Sequence, residues 1–135
     1  MNAVPHFQQF LDAAAAEPQA QRLLFVFAAA ELPEGATSAQ RRGFAEGRGG
    51  ALSPLMCVDK APGEIPAFEA LVAESQRAGP PWQVMFAASL LGASGAPPEH
   101  AAVEQALQTM VDSVRAGTID RFAAFDAAGR AISVV

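Results

Sequence analysis

The 135-residue chain has one cysteine, two histidines, no tyrosine and a single lysine, Lys60. A lone Cys57 cannot close an internal disulfide, and it suits a reducing interior such as the bacterial cytoplasm. With only His6, His100 and Cys57 to offer, the chain has no C-x-x-C, H-x-x-x-H or H-E-x-x-H spacing. No metal and no cofactor are expected. Charge is scarce at 17% of residues and acidic in balance, with a formal net charge of -5 and a pI near 4.9. Clustered positive charge for phosphates is missing, and so is any interleaving of basic and aromatic residues, so nucleic acid is not an expected partner. The longest apolar runs, Leu23–Ala30 and Val84–Leu91 (the latter broken by Ser89), fall far short of the roughly 18 residues that span a bilayer. Met1 to His6 carries no basic segment leading into an apolar run, so neither a signal peptide nor a membrane partner is expected.

Hydrophobic residues make up 51% of the chain and Phe occurs nine times, enough for one globular domain over 1–135 with a core of its own. Its centre is Arg22 to Leu32. Leu23, Phe25 and Phe27 alternate with Leu24, Val26 and Ala28, so both faces of a strand here are apolar and both should be covered. Before it, Phe7, Phe10, Leu11, Ala14 and Ala15 repeat at helical spacing over residues 6–16, with Pro5 suited to the first turn and Pro18 beyond the end. After it, Pro33-Glu34-Gly35 breaks the strand. Thr37 and Gln40 stand at capping-box spacing for a short helix from Ser38 to about Glu46.

Glu46-Gly47-Arg48-Gly49-Gly50 reads as a flexible connector. Ala51 to Val58 is a second strand, pushed to a sheet edge or a bulge by Pro54. Phe68, Leu71, Val72 and Ser75 mark a helix that Gly79 is expected to end in a left-handed cap. Trp82 to Leu91 is a third strand, apolar on both faces and a natural neighbour of the first. A parallel crossover is expected between the second and third strands if they share a sheet. Gly92 to Pro98 reads as a mobile loop. Val103, Leu107, Met110 and Val114 define a helix ending at Gly117, and Asp126-Ala127-Ala128-Gly129 joins Arg121–Phe125 to Arg130–Val134 as a terminal hairpin. The expected architecture is an α/β (α+β) sandwich with a small mixed sheet of about five strands, three main helices and a C-terminal β-hairpin.

Candidate chemistry gathers at Met56-Cys57-Val58-Asp59-Lys60. Cys57 could act as a nucleophile with Lys60 favouring its thiolate, but burial in the core is the expected role of a free cysteine on an alternating strand. Asp59 and Lys60 are expected to pair with each other or cap the next helix. Glu31, at the end of the first strand, could meet Asp59 as an acid/base pair, against the simpler alternative of a solvated strand end. Arg41 and Arg42 could hold an anion or a partner's carboxylate. The nearby glycines match neither a P-loop nor a dinucleotide fingerprint, because no Lys follows them and they precede a strand.

Several blocks carry a resemblance: Gln21-Arg22-Leu23-Leu24-Phe25-Val26-Phe27, Glu31-Leu32-Pro33, Gly49-Gly50-Ala51-Leu52, Met56-Cys57-Val58-Asp59-Lys60, Phe68-x-x-Leu71-Val72-x-Glu74-Ser75, and Phe122-x-x-Phe125-Asp126 with Gly129. Together they resemble a family of small, uncharacterised proteobacterial proteins, many labelled automatically "ribonucleotide reductase subunit alpha". Radical ribonucleotide reduction needs several cysteines in a large barrel domain. One Cys in 135 residues limits this chain to an accessory role at most. The resemblance implies a cytoplasmic, bacterial setting. The leading expectation is a non-catalytic module that binds a partner protein or forms a homodimer. The alternative is a small enzyme or small-molecule binder with a pocket near Glu31 and Cys57-Asp59-Lys60.

Overall fold

A computed structural model describes residues 6–31, 35–45 and 51–132. Pro5, the Pro33-Glu34 break, the Glu46–Gly50 connector and the end of the expected last strand beyond Ile132 lie outside the described residues. The elements run α1 (His6–Ala16), β1 (Gln21–Glu31), α2 (Ser38–Ala45), β2 (Ala51–Lys60), a 3-10 turn (Pro62–Glu64), α3 (Phe68–Ala78), β3 (Val84–Leu91), α4 (His100–Ala116) and β4 (Ala123–Phe125). The four strands form one sheet in the order β2-β1-β3-β4, and every neighbouring pair is antiparallel. The fold is therefore α+β, with a four-stranded antiparallel sheet in place of the expected mixed sheet of about five.

β1 is the middle of this arrangement, and its doubly apolar pattern is why. Leu23, Phe25 and Phe27 join a buried cluster with Phe7 and Leu11 of α1, Phe68 and Leu71 of α3, Met85 and Ala87 of β3, and Phe125 of β4. Leu24, Val26 and Ala28 join a second cluster on the opposite face with Val84 and Phe86 of β3 and Val103, Met110 and Val114 of α4. The sheet is thus sandwiched, α1 and α3 on one side and α4 on the other. Phe7 is the hub of the first layer, with its ring 4.8 Å from Phe68, 5.2 Å from Phe125 and 6.0 Å from Phe25. Such tilted and edge-on pairs add to the area that each ring buries.

β2 and β3 both pair with β1 rather than with each other. α3 therefore carries the chain across β1, and the crossover joins strands that are not neighbours. Pro54 has both consequences expected of it: β2 lies at the sheet edge, and the register with β1 slips between Phe27 and Ala28, opposite Met56 and Pro54, leaving Leu55 as the extra residue of a bulge. Met56, Val58 and Lys60 then fall in register with Phe27, Phe25 and Leu23 on the α1/α3 side, while Cys57 and Asp59 fall with Val26 and Leu24 on the α4 side.

Local chemistry fixes the element ends. Thr37 and Gln40 make a complete capping box, Gln40 N–H donating to Thr37 Oγ1 at 3.1 Å and Thr37 N–H to Gln40 Oε1 at 2.8 Å. Gly117 ends α4 in the left-handed region, at φ 79°. Gly79 does not do this for α3: at φ -159° it is extended, and its importance is steric, since a Cβ there would sit 2.8 Å from Met56 Sδ. Trp82 precedes β3 instead of opening it, and so escapes the strand's alternation. Its ring packs in the α1/α3 layer beside Phe27, and its indole N–H donates to Ser75 Oγ at 2.8 Å. The stretch after β3 closes on itself through mutual Ala93–Ala96 backbone bonds, with Ser94 and Gly95 both at positive φ, the signature of a type I′ turn rather than an open loop.

At the C-terminus the Asp126–Gly129 turn forms as expected, with Gly129 at φ 81°. Among the described residues, the strand expected after it consists of a single bridge, Phe125 with Ala131, followed by a bond from Ile132 N–H to Ala124 O. The turn is held to α1 instead: Phe7 N–H donates to Gly129 O at 3.0 Å and Ala131 N–H to His6 Nδ1 at 2.7 Å. The α1 start thus bonds the outward-facing backbone groups of Gly129 and Ala131, while Arg130 and Ile132 bond back to Asp126 and Ala124. Among the described residues no helix is long and apolar enough to cross a membrane.

Candidate functional site

The residues picked out by the sequence sit at the C-terminal half of β2, and the strand's alternation divides them. Lys60 faces α3, where Nζ donates to Glu74 Oε1 at 2.8 Å. Asp59 faces the other way and accepts two bonds from the Arg22 guanidinium, from Nε at 2.9 Å and Nη2 at 2.7 Å. Arg22 Nη1 also reaches Glu64 Oε1 at 3.2 Å. Asp59 and Lys60 therefore neither pair with each other nor cap a helix. Asp59 is engaged across the sheet by Arg22 of β1 and Lys60 by Glu74 of α3, partners that the strand register and the α3 crossover bring near.

Glu64 does the capping. Its carboxylate accepts from Ala61 N–H at 2.7 Å and holds the 3-10 turn that leaves β2. That backbone bond, aided by the Arg22 and Lys60 charges, holds the Glu64 carboxyl below its ordinary value despite some desolvation.

Cys57 is exposed, not core. The face on which it stands runs out of cover at the sheet edge, although Val26, its partner in register, is fully buried. Its thiol is pushed above the ordinary value, first by partial burial and then by the Asp59 carboxylate two residues on. The cation expected to favour a thiolate, Lys60, is on the opposite face and bound to Glu74. The local field thus works against a nucleophilic thiolate.

Glu31 is not brought to Asp59. In the antiparallel register Glu31 pairs with Ala51 and Asp59 with Leu24. Seven residues of strand separate the two carboxylates, roughly 23 Å at about 3.3 Å per residue. Arg41 and Arg42 lie exposed on α2, the former with its Nε donating to Ala36 O at 3.3 Å. His100 sits at the start of α4 with Nε2 3.0 Å from Glu104 Oε1, and His6 is spent on the C-terminal turn. Among the described residues no group of three or more His, Cys, Asp or Glu is placed to hold a metal ion.

The alternative of a pocket near Glu31 and Cys57-Asp59-Lys60 does not include the α3 wall, and the space found beside β2 is lined neither by Glu31 nor by Asp59. A cavity of about 210 Å³ opens between β2 and α3, lined by Phe27, Met56, Cys57, Val58, Leu71, Glu74, Ser75 and Ala78. Its lining is mainly apolar. Glu74 is tied to Lys60, and the Ser75 hydroxyl accepts from Trp82 and donates to Val72 O at 2.7 Å. Leu71 and Glu74 also line a second, more polar recess with Lys60, Glu64 and Arg77, so a trough follows α3 along the sheet edge. The helical period of Leu71, Ser75 and Ala78 hints at that wall, but only the crossover of α3 sets it against β2.

The outer edge of β2 is itself open. Among the described residues no strand lies beyond β2 in the sheet, and no loop or side chain bonds to the backbone of 51–60. The opposite edge, β4, is three residues long and runs straight into the turn pinned by α1. Compared with known proteins, the chain matches no family model, no curated protein and no solved structure.

Proposed function

We propose that this protein is an interaction module whose working surface is the open edge of β2. The observation that carries this reading is a ten-residue edge strand whose outer side has no backbone partner among the described residues, next to an apolar cavity. Long open edges are templates for pairing, and proteins ordinarily shorten, charge or cover them. β4 is shortened in that way, whereas β2 keeps ten residues and is blunted only by the Pro54 bulge and by Asp59 and Lys60 at its end. The partner is another protein or a second copy of this chain.

A photo-crosslinking residue at position 57, compared with the same residue at Glu104 on α4, tests the reading, together with light scattering over a range of concentrations. A discrete adduct, to itself or to one partner, is expected at 57 and not at 104. A monomer with equal, diffuse labelling at both positions would remove the proposal.

A second reading, a small-molecule binder or enzyme, is favoured by one observation, the apolar cavity itself. Its chemistry would rest on shape and apolar contact, because the polar groups at its wall are already bonded. Saturable binding of a small ligand that protects Met56 and Val58 without any protein partner would support it over the module.

A further inference from the structure

Away from the β2 edge, we infer that His6 is a proton-operated latch. In its neutral form Nδ1 clasps the C-terminal segment 130–132 to the start of α1, and protonation lets that segment go. His6 Nδ1 accepts the Ala131 N–H at 2.7 Å, from a residue 125 positions further along the chain. A ring nitrogen accepts only through a lone pair, so this bond exists with the ring proton on Nε2. It cannot exist in the imidazolium, where both nitrogens are donors. One proton thus sets two states of the contact.

What the latch holds is the cover of the second sheet edge. The segment after the Asp126–Gly129 turn lies along the outer side of β4, where Asp126 N–H donates to Arg130 O at 3.0 Å and Ile132 N–H to Ala124 O at 2.9 Å. Its other side faces α1, through the bonds from Phe7 N–H to Gly129 O and from Ala131 N–H to His6. The Phe7 bond involves no titrating group, and Gly129 is buried beside Phe68, so this end is a fixed pivot. Loss of the His6 bond frees the far end, Ala131 and Ile132, and with it the outer edge of Ala124.

Nothing around His6 compensates a charge on its ring. The first turn of α1 has no acidic residue, and a cation there stands at the positive end of the helix dipole. In the turn, Asp126 is committed to Arg130 at 3.0 Å, and on α1 Asp12 accepts from Gln8. On α3, Glu69 follows Phe68, the residue that packs on Phe7. Among the described residues none of these carboxylates forms an ion pair with His6.

The test follows the Ala131 amide and the His6 ring by NMR in the full chain, from about pH 8 to about pH 5, where imidazoles ordinarily titrate. Asp126, held below its ordinary 3.8, stays charged throughout that window. At the alkaline end the His6 proton should reside on Nε2. Protection of the Ala131 amide, corrected for intrinsic exchange, should then fall about threefold or more in step with the His6 ring, the order of one hydrogen bond. His6→Asn puts an acceptor, Oδ1, where Nδ1 stands and takes up no proton, so Ala131 should stay protected at every pH. His100 on α4 is the control, and its titration should leave Ala131 unmoved. If the Asn side chain leaves Ala131 unprotected at both ends of the window, the tautomer and the coincidence of the two titrations in the parent decide. A neutral ring protonated at Nδ1, Ala131 protection that holds while His6 titrates, or an equal fall in His6→Asn would each overturn the inference.

Discussion

Replacing Phe25 by alanine probes the feature on which the fold depends, a central strand buried on both faces. Phe25 is 0% exposed and sits between β2 and β3, with its ring 6.0 Å from Phe7 and 6.3 Å from Phe10. Truncation there removes nearly a whole buried ring, and the neighbours on both strands are held by ladder bonds that limit collapse. The loss should be about 3–5 kcal/mol, the range for buried Phe→Ala changes. For a domain of this size that corresponds to a fall in Tm of roughly 10–20 °C. The chain contains its own reporter: Trp82 is the sole tryptophan, 9% exposed and 5.1 Å from the Phe27 ring in the same layer. Urea unfolding followed by its fluorescence gives the stability of that layer directly. Leu91→Ala is the control, since Leu91 is 50% exposed and should change stability by less than about 0.5 kcal/mol. A Phe25→Ala loss below about 1 kcal/mol, or one no larger than that of Leu91→Ala, would refute a central β1.

Further outcomes follow from the sites described. Gly129→Ala should destabilise by about 2 kcal/mol or more in chemical unfolding, because it combines a left-handed backbone with a Cβ placed 3.1 Å from Phe68 Cδ2. Asp126 is opposed by desolvation, but bonds from the Arg130 and Ala128 N–H groups and the Arg130 guanidinium prevail and hold its carboxyl below the ordinary 3.8. The stability this contributes is present above the unfolded value and is lost as pH falls through the lower folded one. The gap in urea midpoint between the parent and Asp126→Ala should therefore be full at neutral pH and narrow in strong acid; a gap that widens in acid would contradict the assignment. Cys57 should react with a thiol reagent in the native protein, yet with an apparent pKa above that of a free thiol. Asp59→Asn should bring that pKa down only partway, because burial is the larger cause. Labelling that requires unfolding would put Cys57 back in the core.

Much of the fold could be read from residue spacing because the signals are local. The Phe7, Leu11 and Ala14 stripe, the capping pair Thr37 and Gln40, and the disruption at Pro54 each act over a few residues, and each has the structure expected of it. The two apolar faces of β1 also announced a covered strand. Strand direction is a different kind of property. Parallel and antiparallel partners of β1 demand the same residues, so a mixed sheet and an antiparallel one read alike.

The site was less legible for the same reason. The alternation of Met56 and Val58 against Cys57 and Asp59 was visible, but which face keeps its cover at the edge was not. Asp59 meets Arg22 from 37 residues away, and Lys60 meets Glu74 from 14. Those pairings depend on the register and the crossover. Gly79 shows a further limit: a glycine after a helix usually marks a left-handed cap, whereas here it makes room for Met56.

The claim that β2 is an open pairing edge is tested most directly by residue-resolved amide hydrogen exchange. Between Met56 and Lys60, amides should alternate, those bonded to β1 exchanging slowly and those on the outer side at rates close to an unprotected chain. β1 should be protected from Leu23 to Ala28, where it is paired on both sides. Uninterrupted protection along β2 in the free, monomeric protein would mean that the edge is covered, and it would contradict the account.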